Sequence, residues 1–182
     1  MIKLACFILL VFLLSGCTYS NVPKNNSDFE SITNIKQLEG TYKNKGDPNT
    51  LLSWSLFKKL NKNIPHESIE FIQVTIKNKT FQVNAINNNC IAHEEMFIYG
   101  RDFEIKNDVI VIYNNFSFLN SGEGLGPSFA RTVIGIDKKG HGKIKHTTGG
   151  FVLYGLFLPI VGTESSEYRF TRTKLNKTYR HC

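Results

Sequence analysis

Beyond residue 34 the chain is dominated by apolar and polar positions that alternate in steps of two, broken by short clusters of turn residues. That pattern is the signature of half-buried β-strands. Phe71 to Ile76 and Phe81 to Ala85 flank Lys77-Asn78-Lys79, and Phe103 to Lys106 and Val109 to Tyr113 flank Asn107-Asp108. Arg131 to Asp137 and Lys143 to Thr147 flank a basic turn that contains Gly140 and Gly142. Each arrangement predicts a hairpin, and Ser166 to Thr173 reads as a last strand. A different period interrupts the series once. Asp47-Pro48-Asn49-Thr50 is a helix start signal, and Leu52, Leu56 and Leu60 follow in steps of four, with Trp54 and Phe57 nearby. The expected fold is therefore mainly β: an antiparallel meander forming a barrel or a strongly curled sheet, with one short N-terminal helix.

The most apolar segment of this region, Gly149 to Gly162, contains Gly155 and Pro159. Its length and those two residues argue against a membrane-spanning helix. It reads either as a buried strand broken at Pro159, or as a contact surface for lipid or a partner. In the second reading Phe151, Leu153, Tyr154, Leu156 and Phe157 make the contact.

The first residues follow another logic. Lys3 gives a short positive start, Leu4 to Leu14 an apolar run too short to cross a bilayer, and Ser15-Gly16 small residues before Cys17. The ending Leu14-Ser15-Gly16-Cys17 resembles the lipobox of bacterial lipoproteins. The resemblance implies removal of residues 1–16, acylation of the Cys17 sulfur, and a further acyl chain on the new N-terminus. Several chains are needed because one gives only marginal membrane residence, at about 0.8 kcal/mol per buried methylene. An ordinary secretory signal with an incidental Cys17 is the alternative. In a Gram-negative cell, Thr18 after the cysteine resembles outer-membrane sorting, facing the periplasm. From residue 17 to 34 Asn, Ser and Pro dominate without a period, which predicts a flexible tether spanning about 23 Å. A single β-rich domain is expected over 35–182.

Cysteine usage agrees with an oxidising compartment. With Cys6 removed and Cys17 acylated, Cys90 and Cys182 are left to form a disulfide, two free thiols being the alternative. Leu38-Glu39-Gly40-Thr41-Tyr42, followed by a helix and a meander, is similar to the opening of lipocalin-like barrels. That family more typically has Gly-x-Trp there, with an arginine from a late strand over the aromatic ring. Here Tyr42 stands in for the Trp, and Arg169 or Arg172 is the candidate cation. The resemblance implies a calyx, which Phe71, Phe81, Phe103, Phe116, Phe118, Phe151 and Phe157 would either line or fill.

With 22 Lys+Arg against 15 Asp+Glu over 182 residues, the net charge is +7. The basic residues gather at Lys138-Lys139, Lys143 to Lys145 and Arg169 to Arg180. A lipidated envelope protein meets no nucleic acid, so anionic headgroups or an acidic partner are the relevant counterparts.

Candidate catalytic patterns are incomplete. Gly122-Glu123-Gly124-Leu125-Gly126 lacks the helix that a phosphate loop needs, and it reads as a long loop. Ser55-Leu56-Phe57-Lys58 lacks the companion motifs of penicillin-recognising enzymes, and Ser128 lacks a nucleophile elbow. His93-Glu94-Glu95, His66-Glu67 and His141 with His146 have no metal-ligand spacing. No catalytic residue, metal or cofactor is expected. The sequence points to a lipid-anchored, non-enzymatic interaction module with an envelope protein partner, or to a lipocalin-like carrier of a small apolar ligand.

Overall fold

Asparagine sets the tight hairpins. Asn78 (φ 56°), Asn88 (49°), Asn89 (61°), Asn107 (50°) and Asp108 (60°) all adopt left-handed backbone, which short polar side chains tolerate better than other residues. The computed structural model describes residues 17–182 except 24–25, 58–59, 61–63, 114–116, 122–123, 155–157 and 175–177. Residues 1–16, expected to form a signal segment, and Phe116, Leu156 and Phe157 thus lie outside the described residues.

The strands in chain order begin with β1 (Cys17–Asn21), β2 (Gly40–Lys43), β3 (Lys45–Gly46) and β4 (Thr50–Leu51). The helix α1 (Leu52–Leu56) follows. Next come β5 (Phe71–Lys77), β6 (Thr80–Asn87), β7 (Cys90–Ile98), β8 (Phe103–Lys106) and β9 (Val109–Tyr113). The remainder are β10 (Ser117–Ser121), β11 (Gly124–Ile136), β12 (Gly142–Tyr154), β13 (Leu158–Phe170), β14 (Arg172–Thr173) and β15 (Arg180–His181). One sheet runs β1-β13-β12-β11-β9-β8, with β10 also on β11; a second runs β14-β2-β5-β6-β7-β15; β3 and β4 form a small ribbon.

The chain is mainly β, as its periodicity predicts, but the expected barrel and pure antiparallel meander are not what forms. Both larger sheets are open, and two pairings are parallel: β1 on β13 and β15 on β7. The physical reason lies at the edges. In the second sheet both edge positions are taken by two-residue strands from the end of the chain. Edges this short cannot pair with each other along their length, and β15 reaches only Cys90 and Ile91 of β7. The helix is also shorter than its leucine spacing suggests. It ends at Leu56, because Phe57 turns to extended backbone.

Two compact units emerge, with boundaries inside β11, β12 and β13. Among the described residues, unit 1 comprises those within 17–21, 113–131 and 146–166; unit 2 comprises those within 22–112, 132–145 and 167–182. In unit 2, inward residues of β5 and β6 (Ile72, Val74, Phe81, Val83) share one core with Phe103, Ile110, Ile134, Ile144 and Phe170. Rings meet edge-on across it, with Phe81 and Phe103 centroids 6.2 Å apart. A smaller cluster of Ile86, Ile91 and Tyr179 seats the chain end. There Cys90 and Cys182 are disulfide-bonded, with Cα atoms 5.3 Å apart and a sequence separation of 92.

The stretch that the sequence marks as a tether is ordered into these units at several points. β1 pairs with β13 over Cys17 to Asn21. Phe29 bridges to Asp137, and the N–H groups of Glu30 and Ile32 donate to the carbonyls of Ile136 (2.7 Å) and Asp108 (3.1 Å).

Candidate binding hollow

The five-residue helix α1 has no side-chain cap of its own. A helix N-terminus leaves N–H groups without intrahelical partners, and here Asn44 supplies them from the strand side. Asn44 is fully buried. Its carbonyl accepts from Leu52 N–H at 2.8 Å and its Oδ1 from Ser53 N–H at 2.9 Å. Its own N–H donates to Glu70 O at 3.0 Å, and Nδ2 donates to the carbonyls of His66 (2.8 Å) and Ile69 (2.9 Å). Ser53 is buried too, with Oγ 2.9 Å from His66 Nδ1.

This framework turns Leu52 and Leu56 into the core and Trp54 outward. Trp54, the one tryptophan of the chain, is 56% exposed beside His66, with ring centroids 6.3 Å apart. It borders a surface hollow of about 580 Å³, whose rim carries Lys43, Lys45, Glu67 and Glu70 and whose wall includes Phe71. An indole standing in water on a fully bonded support, ringed by both signs of charge, is chemically suited to bury against a partner surface.

The interior of unit 2 is different. The space among Leu38, Tyr42, Leu56, Phe81 and Phe170 amounts to about 30 Å³, roughly what one water needs and far below the several hundred Å³ of ligand pockets. Over this core, Gly40, Tyr42 and Arg172 come together. Arg172 lies 5.9 Å over the Tyr42 ring and bonds the Glu39 carbonyl, while Arg169 pairs with Asp47 at 3.5 Å. Gly40 has φ 152°, and a Cβ there would lie 2.7 Å from Arg172 Nε, so only glycine suits the position. Tyr42 donates from its hydroxyl to Leu38 O at 2.9 Å; burial, partly opposed by Arg172, pushes its phenol up to about 12.

Part of the basic charge gathered at Lys143 to Lys145 is internal structure. Lys143 is 3% exposed, and its Nζ donates to Ser27 O (2.6 Å), Asn26 Oδ1 (2.9 Å) and Glu167 Oε2 (2.8 Å) while lying 4.8 Å over the Phe29 ring. Lys145 pairs with Glu167 Oε1 at 3.1 Å, and Asn26 Nδ2 donates to Oε2 at 2.9 Å. Burial alone would raise the Glu167 carboxyl. The hydrogen bonds from Lys143, Asn26 and Lys145 together outweigh burial and hold it at about 2.

The other residues singled out in the sequence are dispersed. Cys17 opens β1 opposite Gly162. Phe151 is exposed on β12, which also carries Leu153 and Tyr154. Of the segment Gly149 to Gly162, the described residues up to Tyr154 end β12 and those from Leu158 start β13, so Pro159 lies within a strand. Gly124 to Gly126 belong to β11, opposite β10, and not to a loop. His93, Glu94 and Glu95 lie along β7, where His93 meets the Phe57 ring edge-on at 5.2 Å. Ser55 sits in α1, and Lys58 falls outside the described residues. Among the described residues no group of three His, Cys, Asp or Glu side chains could hold a metal, and no helix is long and apolar enough to cross a membrane.

Sequence reasoning did not single out the Trp54 hollow. A signal was present, since Trp54 falls between Leu52 and Leu56, on the side of the helix their spacing turns away from the core. No protein-family model matches this chain, and neither does any curated protein or solved structure.

Proposed function

We propose that this chain is a lipid-anchored protein of the bacterial envelope that works without catalysis, holding a protein partner at the Trp54 hollow. Cys17 is the acylated residue in this reading, and in a Gram-negative cell the protein is sorted to the outer membrane, facing the periplasm. The observation that carries the binding role is the exposure of Trp54 on a helix turn whose polar supports are all bonded. Exposing a tryptophan forgoes about 2 kcal/mol or more of burial, and interface anchors are enriched in that residue. The tightly filled core favours this role over a carrier of small apolar ligands.

The test is cross-linking in intact envelopes, comparing the native protein with Trp54→Ala and with Cys17→Ser. The expected result is a specific protein adduct that Trp54→Ala loses while its melting temperature is unchanged. Cys17→Ser should leave the membrane fraction and remain unprocessed. An adduct indifferent to Trp54, or a small molecule co-purifying with the native protein by native mass spectrometry, would overturn the binding role.

A further inference from the structure

Unit 1 differs from the rest of the chain in composition. Charged residues make up 20% of the whole sequence, yet in residues 17–21, 113–131 and 146–166 they are only Glu123, Arg131 and Glu164. The same unit exposes Phe118 (60%), Phe129 (45%), Val161 (44%), Phe151 (39%) and Leu125 (37%).

Strand register gathers four of these on one face. Phe118 lies directly opposite Pro127, and directly opposed residues of an antiparallel pair share a face. Leu125 and Phe129 are two residues to either side of Pro127, so they share it as well. The Phe129 ring lies across Gly149, where an added Cβ would come within 2.6 Å of Phe129 Cζ. Gly149 and, two residues on, Phe151 therefore point the same way. The opposite face is polar at the matching positions: Ser117 lies opposite Ser128, with hydroxyl oxygens 2.7 Å apart.

We propose that this face of unit 1, built on Phe118, Leu125, Phe129 and Phe151, lies in the surface of the lipid bilayer. The occupant is lipid for two reasons. A face whose one charged side chain among the described residues is Arg131, at its end two residues beyond Phe129, suits hydrocarbon and the inner headgroup region, where apolar groups bury to a depth of about 5–10 Å and a long arginine reaches out to the headgroups. The acylation site is in the same unit: Cys17 opens β1, hydrogen-bonded along β13 from Gly162 onward, with no free spacer between Cys17 and the strand. The second reason rests on the lipid-anchor reading.

Trp54 is the one tryptophan of the sequence, so replacing it by Phe leaves a background without indole. The full acylated protein is reconstituted into liposomes whose acyl chains carry bromine, a short-range quencher of indole fluorescence. Phe118→Trp and Phe129→Trp, each combined with Trp54→Phe, should be quenched at least about twofold, as a burial depth of about 5–10 Å requires. Intact mass reads acylation separately. An acylated, vesicle-bound protein whose new tryptophans are equally bright in brominated and unbrominated liposomes overturns the proposal and leaves the anchor standing. A protein that carries no acyl chain overturns the anchor, and bromine quenching in that protein still supports the apolar face. Emission that shifts with protein concentration and not with bromine would show that a second copy of the chain covers the face, and would also overturn the proposal.

Discussion

At the scale of single residues, the decisive groups are polar side chains buried with every bond made. Asn44→Ala removes the acceptor of Ser53 N–H and the donor to two carbonyls. It should cost about 3 kcal/mol, because buried groups left unsatisfied cost about 1–3 kcal/mol each and part of the site relaxes. Urea denaturation of the variant checks this, with Asn44→Asp as a control that keeps the acceptor. Glu167 governs acid stability. Its carboxyl titrates at about 2 in the folded chain against an ordinary 4.5, so the unfolded chain binds more protons between those values. Its contribution is therefore complete above about pH 4.5 and is lost as the pH falls toward about 2. Urea midpoints over that window should fall less steeply for Glu167→Gln than for the native chain. Neither role was legible in the sequence. Lys143 reads as one of several exposed basic residues, and nothing local reveals that its partners Asn26 and Ser27 lie more than a hundred positions away.

At the scale of elements, alternation located the hairpins β5–β6, β8–β9 and β11–β12 close to where they stand. The hairpin β6–β7 escaped, for two reasons. Its turn, Asn88-Asn89, has no glycine to announce it, and β7 breaks strict alternation where the register slips between Ala85 and Ile86. Asn89 has φ 61°, a conformation glycine adopts at lower cost, and Asn-Gly is the preferred pair in such turns. Asn89→Gly should therefore raise stability by about 0.5 kcal/mol, read as an increase in melting temperature. The helix prediction found Leu52 to Leu56 but not its ends: Asp47 to Thr50 belong to the β3–β4 ribbon and its turn, and Leu60 lies beyond the helix, because α1 is held by Asn44 at one end and not by a leucine stripe along its whole extent. Apolar content identified Gly149 to Gly162 as unusual. The companion residues Phe118, Leu125 and Phe129 become visible only when register brings β10 and β11 together.

At the scale of the whole molecule, the cysteine count gave the correct pair. Opening the Cys90–Cys182 link by Cys90→Ser with Cys182→Ser should lower stability by about 4–5 kcal/mol in the chain-entropy account of a long loop. Hydrogen exchange should show Arg180 and His181 losing protection first, since β15 is two residues long. The open architecture was not legible, because it depends on where the chain's last strands settle and no local pattern encodes that. Those last strands also impose an order of events. A chain that emerges N-terminus first can complete β2, β5, β6 and β7 while both flanks of that sheet are still bare. The two short pieces that cover them, β14 and β15, are made after every other strand. During synthesis, the ends of β2 and β7 that these pieces pair with would be open to neighbouring chains until residues 172–182 arrive and the thiols are oxidised, so the yield of folded protein should depend on the speed of that final step.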